Sequence, residues 1–461
     1  MRIKLLGHYV YAPVLVLAMV EALAILLAHF TAARFFPKPG EPVHILCASG
    51  LLVVICSVLW LLTMGLYCQR LRQRLFGVML RVTLGLMLGG LTARAISLLV
   101  LDDWIPGTIL ATSVLISWFL LAGTRAVANN GLDEDFFKSR VLVLGAGRRA
   151  ARLLKLRRRA DRRGFKIVAF VAMPGDTPSM RGPPVIELSE SLLGYARSHG
   201  IREIIVAMDD RRNTFPFRAL LDCRMAGIGV SEIGTFLERE TGKVFLDAVD
   251  PSWLIFSGGF KHSVLRRLFD RSFDLIASGT ILLFGAPLML LVVLAIKIED
   301  GWRAPTLYRQ ERVGQHGRVF SVMKFRSMRV NAEQDGIAQW AQPNDSRVTK
   351  VGAFIRTTRL DELPQLLNVL RGVMSFVGPR PERPSFVTRL GEEIPYYAER
   401  HSVKPGITGW AQLCYPYGAS DQDAVEKLQY DLFYVKHRGL MFDMMILLQT
   451  VEVILFGKGS R

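Results

Sequence analysis

Cysteine is scarce in this 461-residue chain: Cys47, Cys56, Cys68, Cys223 and Cys414 are all there is. None of them shows the paired spacing of a metal site, and three lie in or beside apolar runs, so neither a zinc module nor a disulfide framework is implied. Acid is also in short supply, 40 Asp and Glu against 58 Lys and Arg, a formal net charge of +18. That excess suits an anionic membrane face or a phosphorylated ligand. No nucleic-acid recognition module is recognisable, so a nucleic-acid partner would rest on charge alone and is not expected. The length is too great for one ordinary domain.

What is abundant is apolar sequence, at 51% of residues. Four runs, Val10–Phe30, Val43–Tyr67, Leu75–Leu101 and Ile105–Val127, each approach or exceed the roughly 20 residues a helix needs to span a bilayer. Arg2 and Lys4 precede the first, Arg70, Arg72 and Arg74 separate the second from the third, and Arg125 closes the fourth. The third connector carries Asp102 and Asp103, and the first has only Arg34 and Lys38. Positive-inside counting then places both ends of a four-helix unit, residues 1–128, in the cytoplasm. The first run is longer than a signal-peptide core and further spans follow it, so cleavage after Thr31-Ala32-Ala33 is not expected. Glu21 and Arg94 fall in or near spans, and packing or snorkelling explains such residues without a site.

Residues 136–250 change character. Arg140–Leu144 reads as a buried strand, and Gly145-Ala146-Gly147-Arg148-Arg149-Ala150 as the G-x-G-x-x-A turn that opens a helix at a nucleotide phosphate. Lys166–Val171 and Ile201–Met208 supply further strands, with a helix at Ser189–His199, so a parallel, doubly wound Rossmann-like domain is predicted. The second strand lacks a ribose-binding acid at its end: it closes on Phe170-Val171-Ala172-Met173, and Asp176 comes later in a Pro/Gly loop. The helix after the turn carries Arg157, Arg158, Arg159, Arg162 and Arg163. NAD or another nucleotide is therefore the weaker reading of this domain, and a structural or regulatory role the stronger.

A fifth apolar segment, residues 272–298, is flanked by positive charge on both sides: Lys261, Arg266, Arg267 and Arg271 before it, Lys297, Arg303, Arg309 and Arg312 after. A crossing would violate the bias the first four spans obey. Pro287, beside Gly285, removes a hydrogen bond to the Leu283 carbonyl and clashes there. The expectation is a re-entrant helix–break–helix, with a kinked full span as the alternative.

The stretch from Arg359 to Gly372 places Asp361 and Glu362 just ahead of Pro364 and a leucine stripe, Leu363, Leu366, Leu367 and Leu370, that Gly372 stops. The plain reading is two acids capping a helix. The sharper one is two carboxylates handling phosphates through a metal, because Lys324, Arg326, Arg356, Arg359, Arg380 and Arg383 surround them in sequence as candidate phosphate contacts. Alternating prolines from Pro379 to Pro384 would hold Arg380 and Arg383 on a stiff extended strip.

The runs Lys324–Met328 (KFRSM), Arg359–Gly372 (RLDELPQLLNVLRG), Ser375–Glu382 (SFVGPRPE) and Lys404–Gln412 (KPGITGWAQ) resemble, in order, the bacterial sugar transferase family of polyprenyl-phosphate phosphoglycosyl transferases. The likeness covers roughly residues 261–461, and the four helices and Rossmann-like domain ahead of it resemble the long, exopolysaccharide-type members. It implies a mostly α catalytic domain, a bacterial inner-membrane location facing the cytoplasm, Mg²⁺ as cofactor, and UDP-sugar and polyprenyl phosphate as substrates. It also implies Asp361 as nucleophile, Glu362 as metal ligand, and downstream glycosyltransferases as partners; homo-oligomerisation stays open. One departure is Val373, where the family usually has an acid after the glycine. It leaves a catalytically weakened, nucleotide-binding membrane scaffold or sensor as the alternative function.

At the C-terminal end, Asp423–His437 mixes Leu, Tyr and Phe with charge, and Gly439–Phe456 is apolar but broken by Asp443 and Glu452. A helix in the membrane interface, with Tyr430 and Tyr434 at interfacial depth, and burial against the catalytic domain are both consistent with that pattern.

Overall fold

The computed structural model describes residues 2–5, 8–36, 43–64, 66–67, 75–100, 105–131, 138–156, 161, 164–174, 176, 183–188, 191–210, 215–246, 264–329, 347–415 and 420–455. Arg157, Arg158, Arg159, Arg162 and Arg163 lie outside them, as do the connectors around Arg70–Arg74 and Asp102–Asp103. The chain divides into two units, Met1–Gly242 and Lys243–Arg461.

In the first unit a short hairpin, β1 (Arg2–Leu5) and β2 (His8–Tyr11), precedes four long helices. These are α1 (Ala12–Phe35), α2 (Val43–Thr63), α3 (Leu75–Val100) and α4 (Gly107–Gly131), close to the four apolar runs. Each contains a stretch long and apolar enough to cross a membrane. They pack in a ring, α1 against α2 and α4, α3 against α2 and α4. Small residues permit close approach: a Cβ on Gly89 would come within 2.5 Å of the Ser57 backbone. Glu21 forms a buried pair with Arg125, whose Nη2 lies 2.9 Å from Oε2, and accepts the Tyr67 hydroxyl. An unpaired charge at that depth would be costly, so the pair ties α1 to α4.

The remainder of this unit is a five-stranded parallel sheet in the order β5-β4-β3-β6-β7. Its strands are β3 (Ser139–Leu144), β4 (Phe165–Val171), β5 (Val185–Ile186), β6 (Glu203–Val206) and β7 (Gly229–Glu232). Helices α5 (Arg148–Leu154), α6 (Leu192–Ser198), α7 (Phe217–Met225) and α8 (Ile233–Thr241) connect or follow them. The expected second strand and helix are present within a few residues. The β6 strand is shorter than the apolar run Ile201–Met208, because strand geometry holds only where β3 and β7 supply ladder partners.

The second unit opens with α9 (Val264–Asp300), 37 residues long. Its backbone stays helical through Pro287, which corrects the expectation of two helices separated by a break. Then come the antiparallel hairpin β8 (Leu307–Val313) and β9 (Val319–Phe325), helices α10 (Lys350–Thr357) and α11 (Gln365–Arg371), and strand β10 (Ser375–Val377). Helix α12 (Pro384–Glu393), strand β11 (Gly406–Thr408), parallel to β10, and helices α13 (Trp410–Cys414), α14 (Asp421–His437) and α15 (Leu440–Leu455) complete it. The core joins Leu366, Val369, Met374, Trp410, Leu428, Phe433, Phe442 and Ile446. Tyr430 and Tyr434 are buried in it, and Tyr434 donates to the Val377 carbonyl and to Asp443. Burial therefore overrides interfacial placement for those tyrosines: α14 is enclosed from Leu428 to Lys436, and Phe442 and Ile446 seat α15 on the same core.

Both ends of α9 engage one short region. Arg271 donates to the Val369 and Leu370 carbonyls at 2.7 and 2.5 Å, and Asp274 accepts from the Ser375 hydroxyl and the Phe376 amide. Val292 and Ile296 bury against Phe325, Ile355, Leu360 and Leu363. Glu299 accepts the Lys350 and Val351 amides at the start of α10. Between these anchors Ile276, Leu283, Phe284, Leu290 and Leu291 are exposed.

Candidate active site

Asp361 and Glu362 do not sit in the first turn of α11. They belong to a separate 3₁₀ turn, Leu360–Glu362, entered through Arg359 at φ 61°. A non-glycine residue in the left-handed region costs of order 1 kcal/mol, and such strain concentrates at functional sites. Pro364, pre-set at φ −62°, takes the cap position of α11 with no side-chain cap bond, so the acids are not helix caps. Both are buried, at 9% exposure.

Helix α11 fixes the turn from behind. Leu366 and Val369 are buried and Leu363, Leu367 and Leu370 only partly so, so the leucine stripe is wider and rotated from the one predicted. Asn368, which the sequence reading passed over, accepts the Met323 amide at 3.1 Å and donates to the Ser321 carbonyl at 2.8 Å, pinning the helix to β9. Gly372 ends the helix at φ 81°, as expected, and the Arg271 guanidinium bonds the last carbonyls.

Three of the six predicted cations converge on Glu362. Its Oε1 lies 3.3 Å from Arg380 Nη2, 3.4 Å from Lys324 Nζ and 3.8 Å from Arg359 Nη1. Burial alone would push this carboxyl up, but Lys324, then Arg380 and Arg359, outweigh it and hold Glu362 down at about 2. Asp361 moves the other way: burial first, then the Glu362 charge, raise it against the same three cations. Adjacent carboxyls thus acquire opposite characters, one firmly ionised and one raised in energy as an anion.

The other three cations are placed differently. Arg326 is buried and paired with Asp300 at the end of α9, at 2.6 Å. Positions two apart share a face within a strand, but Arg326 follows the end of β9 and so does not accompany Lys324 to Glu362. Arg356 lies in the last turn of α10 and, among the described residues, makes no ion pair with either carboxylate. Arg383 takes the cap position of α12. Val373 is 39% exposed and lies beyond the far end of α11 from Glu362.

The glycine turn of the sheet domain is also formed as expected, but its amides are engaged. Gly145 adopts φ 114° where a Cβ would strike the Ala207 carbonyl at 2.6 Å, and Ala150 is buried. Asp176 accepts the Ala146 amide at 2.7 Å, and Asp209 accepts the Arg148 and Arg149 amides at 2.8 Å. Carboxylates of the chain itself therefore sit where a nucleotide phosphate would bind.

The description "Bacterial sugar transferase" fits a family model matching residues 265–457. A UDP-N-acetylgalactosamine-undecaprenyl-phosphate N-acetylgalactosaminephosphotransferase of Aeromonas hydrophila is 42% identical over 244 residues, 53% of this chain and 56% of the relative. A UDP-glucose:undecaprenyl-phosphate glucose-1-phosphate transferase of Escherichia coli is 42% identical over 191 residues, 41% of this chain and 40% of the relative. The chain thus spans about half the length of these two. An undecaprenyl-phosphate galactose phosphotransferase of Salmonella typhimurium is 32% identical over 355 residues, covering 73% of this chain and 72% of that one. With the motifs in order and likeness reaching beyond the catalytic unit, the chain belongs to the bacterial sugar transferase family.

Proposed function

We propose that this protein transfers a sugar 1-phosphate from a UDP-sugar to polyprenyl phosphate at the cytoplasmic face of a bacterial inner membrane, releasing UMP. The observation that carries the proposal is the pairing of a buried Asp361 with a Glu362 ringed by Lys324, Arg359 and Arg380. The names of the relatives support the substrate classes, since each pairs undecaprenyl phosphate with a sugar phosphate donor or product.

In this reading the Asp361 carboxylate attacks the sugar-bearing phosphorus of the UDP-sugar. The bond to the bridging oxygen breaks, UMP leaves with the electron pair, and a sugar-phosphoryl-aspartate remains. A polyprenyl phosphate oxygen then attacks the same phosphorus and returns Asp361 as a carboxylate. Lys324, Arg359 and Arg380 stabilise the charge that accumulates on the transferring phosphoryl oxygens. Among the described residues no cluster of three metal-ligating side chains exists. Mg²⁺ commonly binds through one or two carboxylates together with substrate phosphates, so Glu362 beside Asp361 fits such a site. Bound there, Mg²⁺ would neutralise diphosphate charge that otherwise repels an incoming carboxylate.

The lipid substrate and α9 belong to the same account. A straight helix would separate residues 271 and 292 by about 30 Å. The groups they engage, Leu370 in α11 and Leu363 just ahead of it with helical φ and ψ, stand only about 10 Å apart. A helix bent near Pro287, dipping its exposed apolar middle into one leaflet and returning, satisfies both anchors. The weakened-scaffold reading loses its support, because Val373 lies at the opposite end of α11 from the carboxylates. A panel of UDP-sugars, scored for UMP release by membranes containing the protein with Mg²⁺ and polyprenyl phosphate, tests the proposal. Release with at least one sugar is expected, and release with none would refute it.

A further inference from the structure

Arg380 reaches Glu362 from a strip whose backbone is held at every carbonyl. Pro379 O accepts the Gly406 amide at 3.0 Å, Arg380 O accepts Arg400 Nη2 at 3.0 Å, Pro381 O accepts Arg312 Nη1 at 3.1 Å, and Glu382 O accepts the Val313 amide at 2.9 Å. Pro379 and Pro381 have no N–H and fixed φ, so a ladder through their nitrogens is impossible and the carbonyls are the only backbone handles there. The grip on Arg380 itself is a buried guanidinium. Arg400 is 6% exposed, forms an ion pair with Asp431 at 2.7 Å, and donates Nη1 to the Tyr397 hydroxyl at 2.8 Å. Asp431 is itself 2% exposed, in the enclosed half of α14.

A buried ion pair is seldom the most stable way to fill a core, because desolvation offsets much of the attraction. It does offer a planar fork locked in one orientation: Nη1 is taken by Tyr397, and Nη2, which faces Asp431, also reaches a fixed target. Here that target is the peptide oxygen of the residue whose side chain meets the acidic pair.

We infer that Arg400, fixed by Asp431 and Tyr397, is a positioning residue that aims Arg380 at Glu362 and at the phosphate bound there. The inference rests on the proposed transferase reading. Arg400 touches neither carboxylate; it acts through the backbone of Arg380. An Asp431–Arg400–Arg380–Glu362 relay therefore connects α14 to the reacting pair through four separate segments of the chain.

A double-mutant cycle on UMP release tests it. Arg400→Lys keeps the buried charge but loses the fork. With Arg380 present it is expected to lower kcat about tenfold or more, with a melting temperature close to the parent's. In an Arg380→Ala background the same change is expected to alter kcat less than about twofold, because the aimed group is gone. Tyr397→Phe, which removes only the hydroxyl that steadies the guanidinium, runs the same cycle if Arg400→Lys fails to fold. Equal losses in both backgrounds would overturn the inference while leaving the transferase reading intact. A parent protein that releases no UMP from any UDP-sugar would instead remove that reading, and the inference with it.

Discussion

The guanidinium of Arg380 lies 3.3 Å from Glu362 Oε1, the shortest of three cationic approaches to that oxygen. The contact couples a proline-stiffened strip to the 3₁₀ turn that carries Asp361. Arg380→Ala should cut UMP release roughly 100-fold, in the range seen when one preorganised electrostatic donor is deleted. Arg380→Lys should fall between, since a point charge replaces a fork. Steady-state kinetics with a competent UDP-sugar provide the check.

Acid should weaken the fold through Glu362. Its carboxyl is held at about 2 in the folded chain against 4.5 for the free group. A depressed carboxyl contributes stability fully above the unfolded value and loses it as pH falls toward the folded one. The window is therefore about pH 4.5 down to 2, and the contribution roughly 3 kcal/mol. Glu362→Gln should flatten that part of the stability profile and lower the melting temperature near neutrality, measurable by thermal unfolding in detergent.

Much of this was legible in the chain, for physical reasons. The four long apolar helices ahead of the sheet are read from length and apolar continuity, and the parallel sheet from buried β-branched runs separated by glycine turns. Lys324, Arg359 and Arg380 were among the cations expected at the acids, and they are the ones that meet Glu362. Arg326 was not separable from them, because nothing local records that Asp300, 26 positions earlier, takes it. Asn368 and Arg400 were invisible for a similar reason: each bonds backbone atoms that only the tertiary fold brings near. The engagement of the glycine turn by Asp209 is likewise a contact across some 60 residues.

Arg326 should behave as a structural residue. Arg326 is buried and its partner Asp300 partly so, and removing Arg326 leaves that carboxylate without its charged hydrogen bond, at a cost of about 1 to 3 kcal/mol. Arg326→Ala is thus expected to lower the melting temperature while the KM for UDP-sugar in the surviving folded fraction stays within about twofold. A KM raised tenfold without loss of stability would return Arg326 to the phosphate site.

Asn368 anchors α11 to two backbone groups of β9, one donor and one acceptor. Asn368→Ala orphans both, which should cost about 2 to 6 kcal/mol, each unsatisfied buried group being worth about 1 to 3. Asn368→Asp keeps the acceptor but sets a buried carboxylate oxygen against the Ser321 carbonyl, so a loss at least as large as that of Ala is expected. Denaturation midpoints in detergent distinguish these outcomes.

The course of α9 is open to chemical mapping. Single cysteines replacing Arg267 and Arg303 should both react with an impermeant thiol reagent only from the cytoplasmic side, and one replacing Phe284 should be shielded by lipid. Reaction of position 303 from the outside would make α9 a full span.

The central claim is that Asp361 takes the sugar phosphate covalently. Incubating the protein with a UDP-sugar carrying ³²P at the phosphorus attached to the sugar, in the absence of polyprenyl phosphate, tests it most directly. The label should remain on the wild-type chain through denaturation, with release of unlabelled UMP, and should leave on addition of polyprenyl phosphate. Asp361→Asn should retain none. Full turnover by Asp361→Asn, or a wild-type protein that turns over without ever becoming labelled, would contradict the account.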